Sequence, residues 1–225
     1  REGSTPTRPV YHGAVGLIDD DAVVLDSQRY RDRHLLVTLL TGRIGMVRGV
    51  LRNARGGKAP QAAAAQVLSL VHATGAIGRR AELATFRQLD LVTSSYPLAT
   101  DLERSAAAAV VAELLATFCP LEEPAPRRFR LGVSLLRGLL SGSDPDTVIA
   151  YAQLWMLALG GVLPTPDEPG WGEPEGEFLL ACRQSNVSEL PSRVPKQVAL
   201  WLDRRVRSEA ERPLRALDFF RSMGG

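Results

Sequence analysis

Cysteine is nearly absent from this chain. Cys119 and Cys182 are the only two in 225 residues, too few for a disulfide framework or a cysteine-rich metal site. A reducing, cytoplasmic setting is the expectation that follows. No uninterrupted apolar run approaches the ~20 residues a membrane helix needs, so no membrane association is expected. The opening "REGSTPTRP" lacks the apolar core of a secretory signal and reads as a flexible leader over residues 1–9. Aromatic residues make up 6% of the chain, which limits base-stacking platforms. Lysine is the scarcest charged residue: Lys58 and Lys196 are the only two, so arginine carries almost all the positive charge.

Catalytic signatures are missing as well. "NARGGKAP" has the look of a phosphate-gripping loop, but a P-loop would need Gly at 52 and Ser or Thr at 59, where Arg52 and Ala59 stand. His12, His34 and His72 lie in separate segments without metal-ligand spacing, and His34 and His72 fall inside strand-like runs. There is no Gly-x-Ser-x-Gly elbow and no Cys/His pairing. "DDD" at 19–21 reads as a solvated turn, because adjacent side chains on an extended strand point to opposite sides. The chain is expected to be no enzyme and to carry no cofactor or metal.

What is present is a local excess of one charge. Residues 29–58 contain Arg29, Arg31, Arg33, Arg43, Arg48, Arg52, Arg55 and Lys58 against Asp32 alone, a net +7 in a chain of net +2. Scattered surface charge is ordinary, but a one-signed cluster repels itself unless an anion compensates it. The stretch reads as a polyanion-binding face.

The first third has β character. "AVVLDS" (22–27), "HLLVTLLT" (34–41), "GMVRGVL" (45–51), "QVLSLVHA" (66–73) and "AELATFRQLDLV" (81–92) are separated by turn-prone stretches at 27–33, 53–61 and 74–80. Five short strands so punctuated predict a small barrel or sandwich, with a bulge or bend near Gly45 or Gly49. From about residue 97 the period becomes helical. Helices are expected over 101–118 (N-cap Thr100), 127–142, 144–161 (N-cap Asp144, Pro145 first), 194–210 and 212–223. The third of these is apolar almost all round and should be the buried centre of a bundle. "LPTPDEPGWGEPEGE" (163–177) is an acidic Pro/Gly-rich connector read as a loop.

Several segments together resemble the RecO family of bacterial recombination mediators. "VVLDSQRYRDRHLLVTLLTGRIGMVRGVLRNAR" is similar to the family's opening, with Arg52-Asn53-Ala54-Arg55 at its basic turn. "AAAVVAELLATF" resembles the helix after the family's barrel, including Glu113–Leu115. "AYAQLWMLALGGVLP" resembles the central helix, and "RPLRALDFFRSM" the C-terminal one.

The resemblance implies an α+β, multidomain chain: an N-terminal OB-fold β-barrel (residues 10–92) followed by an all-α helical domain (93–225). It implies binding to single- and double-stranded DNA, annealing, and a nucleoid-associated role in recombinational repair. The implied partners are RecR and the C-terminal tail of the single-stranded DNA-binding protein, with a link to RecA loading. The family's four-cysteine zinc ribbon is not matched, since the connector region holds only Cys182. Basic residues that hold the acidic tail in some members would fall at Thr147–Ala150, which are uncharged; Arg127, Arg128 and Arg130 are the substitutes. Arg29 to Lys58 would follow the phosphate backbone, and Tyr11 and Tyr30 are either stacking or structural. The alternative is an interaction scaffold whose basic surfaces bind acidic peptides.

Overall fold

The computed structural model describes residues 16–54, 61–78, 82–162 and 171–224. The leader, Tyr11, His12, Arg55, Lys58 and residues 163–170 of the connector lie outside them. Five strands, β1 (Gly16–Tyr30), β2 (His34–Thr41), β3 (Met46–Leu51), β4 (Leu70–Ile77) and β5 (Ala84–Thr93), close in the order β1-β2-β3-β5-β4. The short helix α1 (Gln61–Ala64) lies between β3 and β4. This is the OB arrangement, in which only the β3–β5 pair is parallel. Ile18, Val24, Val37, Leu39, Leu51 and Phe86 fill the interior.

β1 is far longer than its apolar core suggests. Its first half pairs with β4, from Gly16↔Ile77 to Val23↔Leu70, and its second half with β2, ending at Tyr30↔His34. The strand therefore incorporates Asp19–Asp21, which the sequence assigned to a turn. Strand geometry survives there because each carboxylate has a partner. His72 bridges Asp19 and Asp21 at 2.8 and 2.9 Å, and Arg43 lies 3.4 Å from Asp20.

β4 is likewise displaced, so Thr74–Ile77 is strand rather than turn. Gly75 allows this: a Cβ there would lie 2.5 Å from the Thr85 carbonyl oxygen. The expected irregularity near Gly45 or Gly49 is also elsewhere. β2 and β3 pair without interruption from Leu40↔Met46 to Leu35↔Leu51, and the register shifts fall at Val24/Asp26 and along β4–β5. Gly49 instead admits β5, since its Cβ would meet the Ala84 carbonyl oxygen at 2.6 Å.

After a 3₁₀ turn at Tyr96–Thr100 come α2 (Leu102–Phe118), α3 (Pro126–Ser141), α4 (Pro145–Leu159), α5 (Glu173–Gln184), α6 (Lys196–Glu209) and α7 (Arg215–Met223). Asp101, not Thr100, caps α2, accepting from the Arg104 amide at 3.1 Å; Thr100 bonds instead to the Pro97 carbonyl. Asp144 caps α4 as expected, at 2.9 Å from the Thr147 amide, and α4 is the buried centre.

The described end of the connector is not all loop, because Glu173–Glu177 form the first turn of α5. A proline in the first turn costs no hydrogen bond there, and Glu173 and Glu175 complement the helix dipole. Phe178, Leu179 and Cys182 then bury one face.

Barrel and helices share one core. Val23, Leu25, Leu40 and Met46 project outward from the barrel into the cluster built by α2 to α7. The β2–β3 turn is stitched to the loop before α3 by bonds from Glu122 N–H to the Met46 carbonyl (3.1 Å) and Ala125 N–H to the Gly42 carbonyl (3.2 Å). Gly45 sits at φ +84°, where a Cβ would lie 1.9 Å from the Glu123 carbonyl oxygen. Gly45→Ala combines an overpacked contact with a left-handed backbone, so a loss of about 2–3 kcal/mol is expected in urea unfolding. An unchanged midpoint would disprove this account of the junction.

Candidate nucleic-acid interface

Strand alternation decides which basic side chains the barrel presents. Leu35, Val37 and Leu39 of β2 and Val47 and Leu51 of β3 point inward, which turns Thr38 and its partner Arg48 outward. Arg48 and Arg52, four residues apart on that outer side, are both exposed. The β1–β2 hairpin adds Arg29, Arg31 and Arg33, all exposed, against Asp32. Arg31 occupies the left-handed region (φ 55°) and places its guanidinium 5.4 Å from the centre of the Tyr30 ring. That contact gives Tyr30 a structural role in holding the hairpin tip. His34 joins the hairpin to the end of β3, its Nδ1 accepting from the Asn53 amide at 3.1 Å.

Among the described residues, Arg29, Arg31, Arg33, Arg48 and Arg52 have no carboxylate partner. Arg43 differs from them. It pairs with Asp20 and donates to the Asp19 carbonyl oxygen, fastening the β2–β3 turn to β1. The structure thus divides the basic run into an anchoring arginine at one end and unpaired arginines along β3 and the hairpin. Arg87 on β5 is a further exposed cation. It stands alone in its sequence neighbourhood, so a charge-cluster criterion passes over it.

The β1–β4–β5 side carries the opposite charge. Asp21, His72 and Asp90 are cross-strand partners in one row. The hydrogen bond from Asp21 and, behind it, Asp19 raises the His72 pKa above its ordinary value, against a smaller opposing effect of desolvation. Both cysteines are buried and free, and burial pushes each thiol up to about 12, far from the range of a reactive thiolate. Among the described residues no cluster of three His, Cys, Asp or Glu could hold a metal ion. No helix among them is long and apolar enough to cross a membrane.

On the helical half, Thr147–Ala150 are buried, and the Thr147 hydroxyl donates to the Pro191 carbonyl at 2.9 Å. That start of α4 is closed to a partner. Arg127 and Arg130 are exposed on α3, whereas Arg128 is half-buried and donates to the Leu159 carbonyl at 3.4 Å. Arg130 and Arg137, two turns apart, flank a groove of about 560 Å³ whose apolar lining includes Phe129, Val133 and Val187.

A five-stranded OB barrel joined through a shared core to a helical bundle, with exposed arginines on β3 and at the β1–β2 hairpin, defines an OB-fold protein with a helical C-terminal region. The chain belongs to the recombination protein O family: the model of the family's N-terminal region matches residues 16–95, and that of its C-terminal region residues 99–209. The DNA repair protein RecO of Bacillus pumilus is 29% identical over 170 residues, covering 75% of this chain and 66% of that protein. That of Koribacter versatilis is 31% identical over 148 residues (66% and 60%), and that of Bacillus subtilis 30% over 145 residues (64% and 56%). The matched regions thus span about two thirds or less of the length of these relatives.

Proposed function

We propose that this protein is a non-enzymatic mediator of recombinational DNA repair. It binds single- and double-stranded DNA through the barrel, anneals complementary strands and assists RecA loading together with RecR. The observation that carries the reading is the set of exposed arginines on and just after β3 and at the β1–β2 hairpin, which have no carboxylate partner among the described residues. Arginine's planar fork suits phosphate, and contacts to phosphate position a strand without reading its sequence. A cationic face lowers the repulsion between two backbones while the bases stay free to pair. That is annealing without nucleotide hydrolysis.

The groove between Arg130 and Arg137 supports a second contact on the helical half. Two guanidiniums beside an apolar lining complement an acidic peptide with hydrophobic residues, such as the tail of the single-stranded DNA-binding protein.

Salt titration tests the central reading. With five to seven phosphate contacts, single-strand affinity is expected to fall with a log–log slope of roughly −3.5 to −5. The loss should be equal for unrelated sequences, and strands coated with the single-stranded DNA-binding protein should still anneal. Sequence-dependent binding with a shallow slope would overturn it.

A further inference from the structure

The β3–β5 pair makes a prediction about the course of the nucleic acid that the basic run alone does not. These strands run parallel, with Gly49↔Ala84, Val50↔Thr85 and Leu51↔Phe86 in register. Leu51 and Phe86 are both fully buried in the barrel. The residues that follow them, Arg52 and Arg87, leave adjacent backbones, which lie about 5 Å apart where strands are paired. Two arginines in adjacent positions repel each other, and neither has a carboxylate partner among the described residues.

β5 is irregular at this point. Its pairing with β4 steps from Gly75↔Phe86 to Thr74↔Gln88, so Arg87 is the extra residue of a bulge. Arg87 and Gln88 are consecutively exposed, which unbroken alternation does not give. Alternation after inward Ala84 and Phe86 turns Arg87 outward, and the bulge leaves it without a β4 partner on the side next to β3. Beyond the bulge the charge reverses. The Gln88 amide donates to Asp90 at 2.6 Å, and Asp90 opens the row continued by His72 and Asp21.

We propose that Arg87 is a nucleic-acid-binding residue, and that a single-strand backbone crosses the outer side of β3 at Arg48 and Arg52 and ends its barrel contact at the β5 bulge. The acidic row behind the bulge repels phosphate and keeps the track on the β3 side of the barrel. This rests on the DNA-binding reading above and assigns its path. The alternative use of Arg87, as an ordinary solvated surface arginine, predicts no effect of its removal on binding.

The test is salt-dependent binding of a labelled single strand to the full chain carrying Arg87→Ala, Arg87→Lys or Arg48→Ala/Arg52→Ala. Arg87→Ala is expected to weaken affinity about three- to tenfold at ~50 mM salt and to make the slope shallower by about 0.7, the contribution of one phosphate contact. Arg87→Lys should retain the wild-type slope. Thermal melting should be unchanged, since the side chain is exposed. If Arg48→Ala/Arg52→Ala weakens binding while Arg87→Ala matches wild type in affinity and slope, the path is wrong and the DNA reading stands. If wild-type binding shows no salt dependence, the DNA reading itself is overturned and the path with it.

Discussion

Replacing Asp203 by Ala is expected to cost about 3–5 kcal/mol, the range for removing one partner of a buried ion pair. Asp203 is nearly buried on α6, where it accepts three side-chain hydrogen bonds from two neighbours and forms an ion pair with Arg207 at 3.7 Å. Its Oδ1 accepts from Gln153 Nε2 at 2.7 Å and from an Arg221 terminal nitrogen at 3.1 Å, and its Oδ2 accepts from Arg221 Nε at 2.7 Å. Gln153 is fully buried on α4, and its side-chain oxygen already has no partner. Without Asp203 both ends of that amide stand unsatisfied in the core, and Arg221 keeps only Asp146. Such groups bear their full desolvation cost. In a chain of this size the melting temperature should fall by roughly 6–20 °C. Asp203→Asn, which keeps the volume and one acceptor, should lose less. A melting temperature lowered by under about 2 °C in the alanine variant would show that the network contributes little.

That network also explains what the C-terminal helix needs. α7 has no side-chain cap of its own, and Glu113 of α2 supplies one by accepting from the Ala216 and Leu217 amides at 3.0 and 3.1 Å. The "Glu-Leu-Leu" of the sequence thus divides its labour. Leu114 and Leu115 are buried core residues, while Glu113 tethers a helix about a hundred positions further on. Helix periodicity revealed the two leucines. The glutamate's partner depends on how α2 and α7 meet, and no local pattern encodes that.

The same distinction runs through the barrel. Five strands, the buried α4 and its Asp144 cap were legible, because alternation, apolar period and capping chemistry are local. Strand limits were not legible where long-range partners override composition. Asp19–Asp21 enter β1 because His72 and Arg43 face them. Thr74–Ile77 enter β4 because Gly75 lets β5 approach. Arg43 and Arg48 look alike in sequence, yet one is paired with Asp20 and the other has no carboxylate partner among the described residues. Arg87 joins Arg52 only through the parallel β3–β5 register. The first turn of α5 did carry local signals, an early proline and acidic residues, but the density of Pro and Gly around them imitates a loop.

The second large effect concerns DNA. The triple variant Arg48→Ala, Arg52→Ala, Arg55→Ala is expected to bind single strands on the order of 10²-fold more weakly at ~50 mM salt. Each phosphate contact contributes about 0.7 to the slope, so three remove roughly two units, and the loss grows as salt is lowered. It should be the same for unrelated sequences, because phosphate contacts carry no base information. Stability should be retained, since Arg48 and Arg52 are exposed and hold no carboxylate partner among the described residues. The full chain is the proper material, because Val23, Leu25, Leu40 and Met46 place the barrel in one core with the helices. Arg130→Ala/Arg137→Ala, in the α3 groove, serves as the comparison: it should leave the DNA slope unchanged while abolishing capture of an acidic peptide. Equal affinity of the triple variant and wild type at ~50 mM salt would remove the outer side of β3 as the DNA site. If the groove variant lost DNA binding in its place, the helical half would be the nucleic-acid surface and the barrel's arginines would belong to a protein partner.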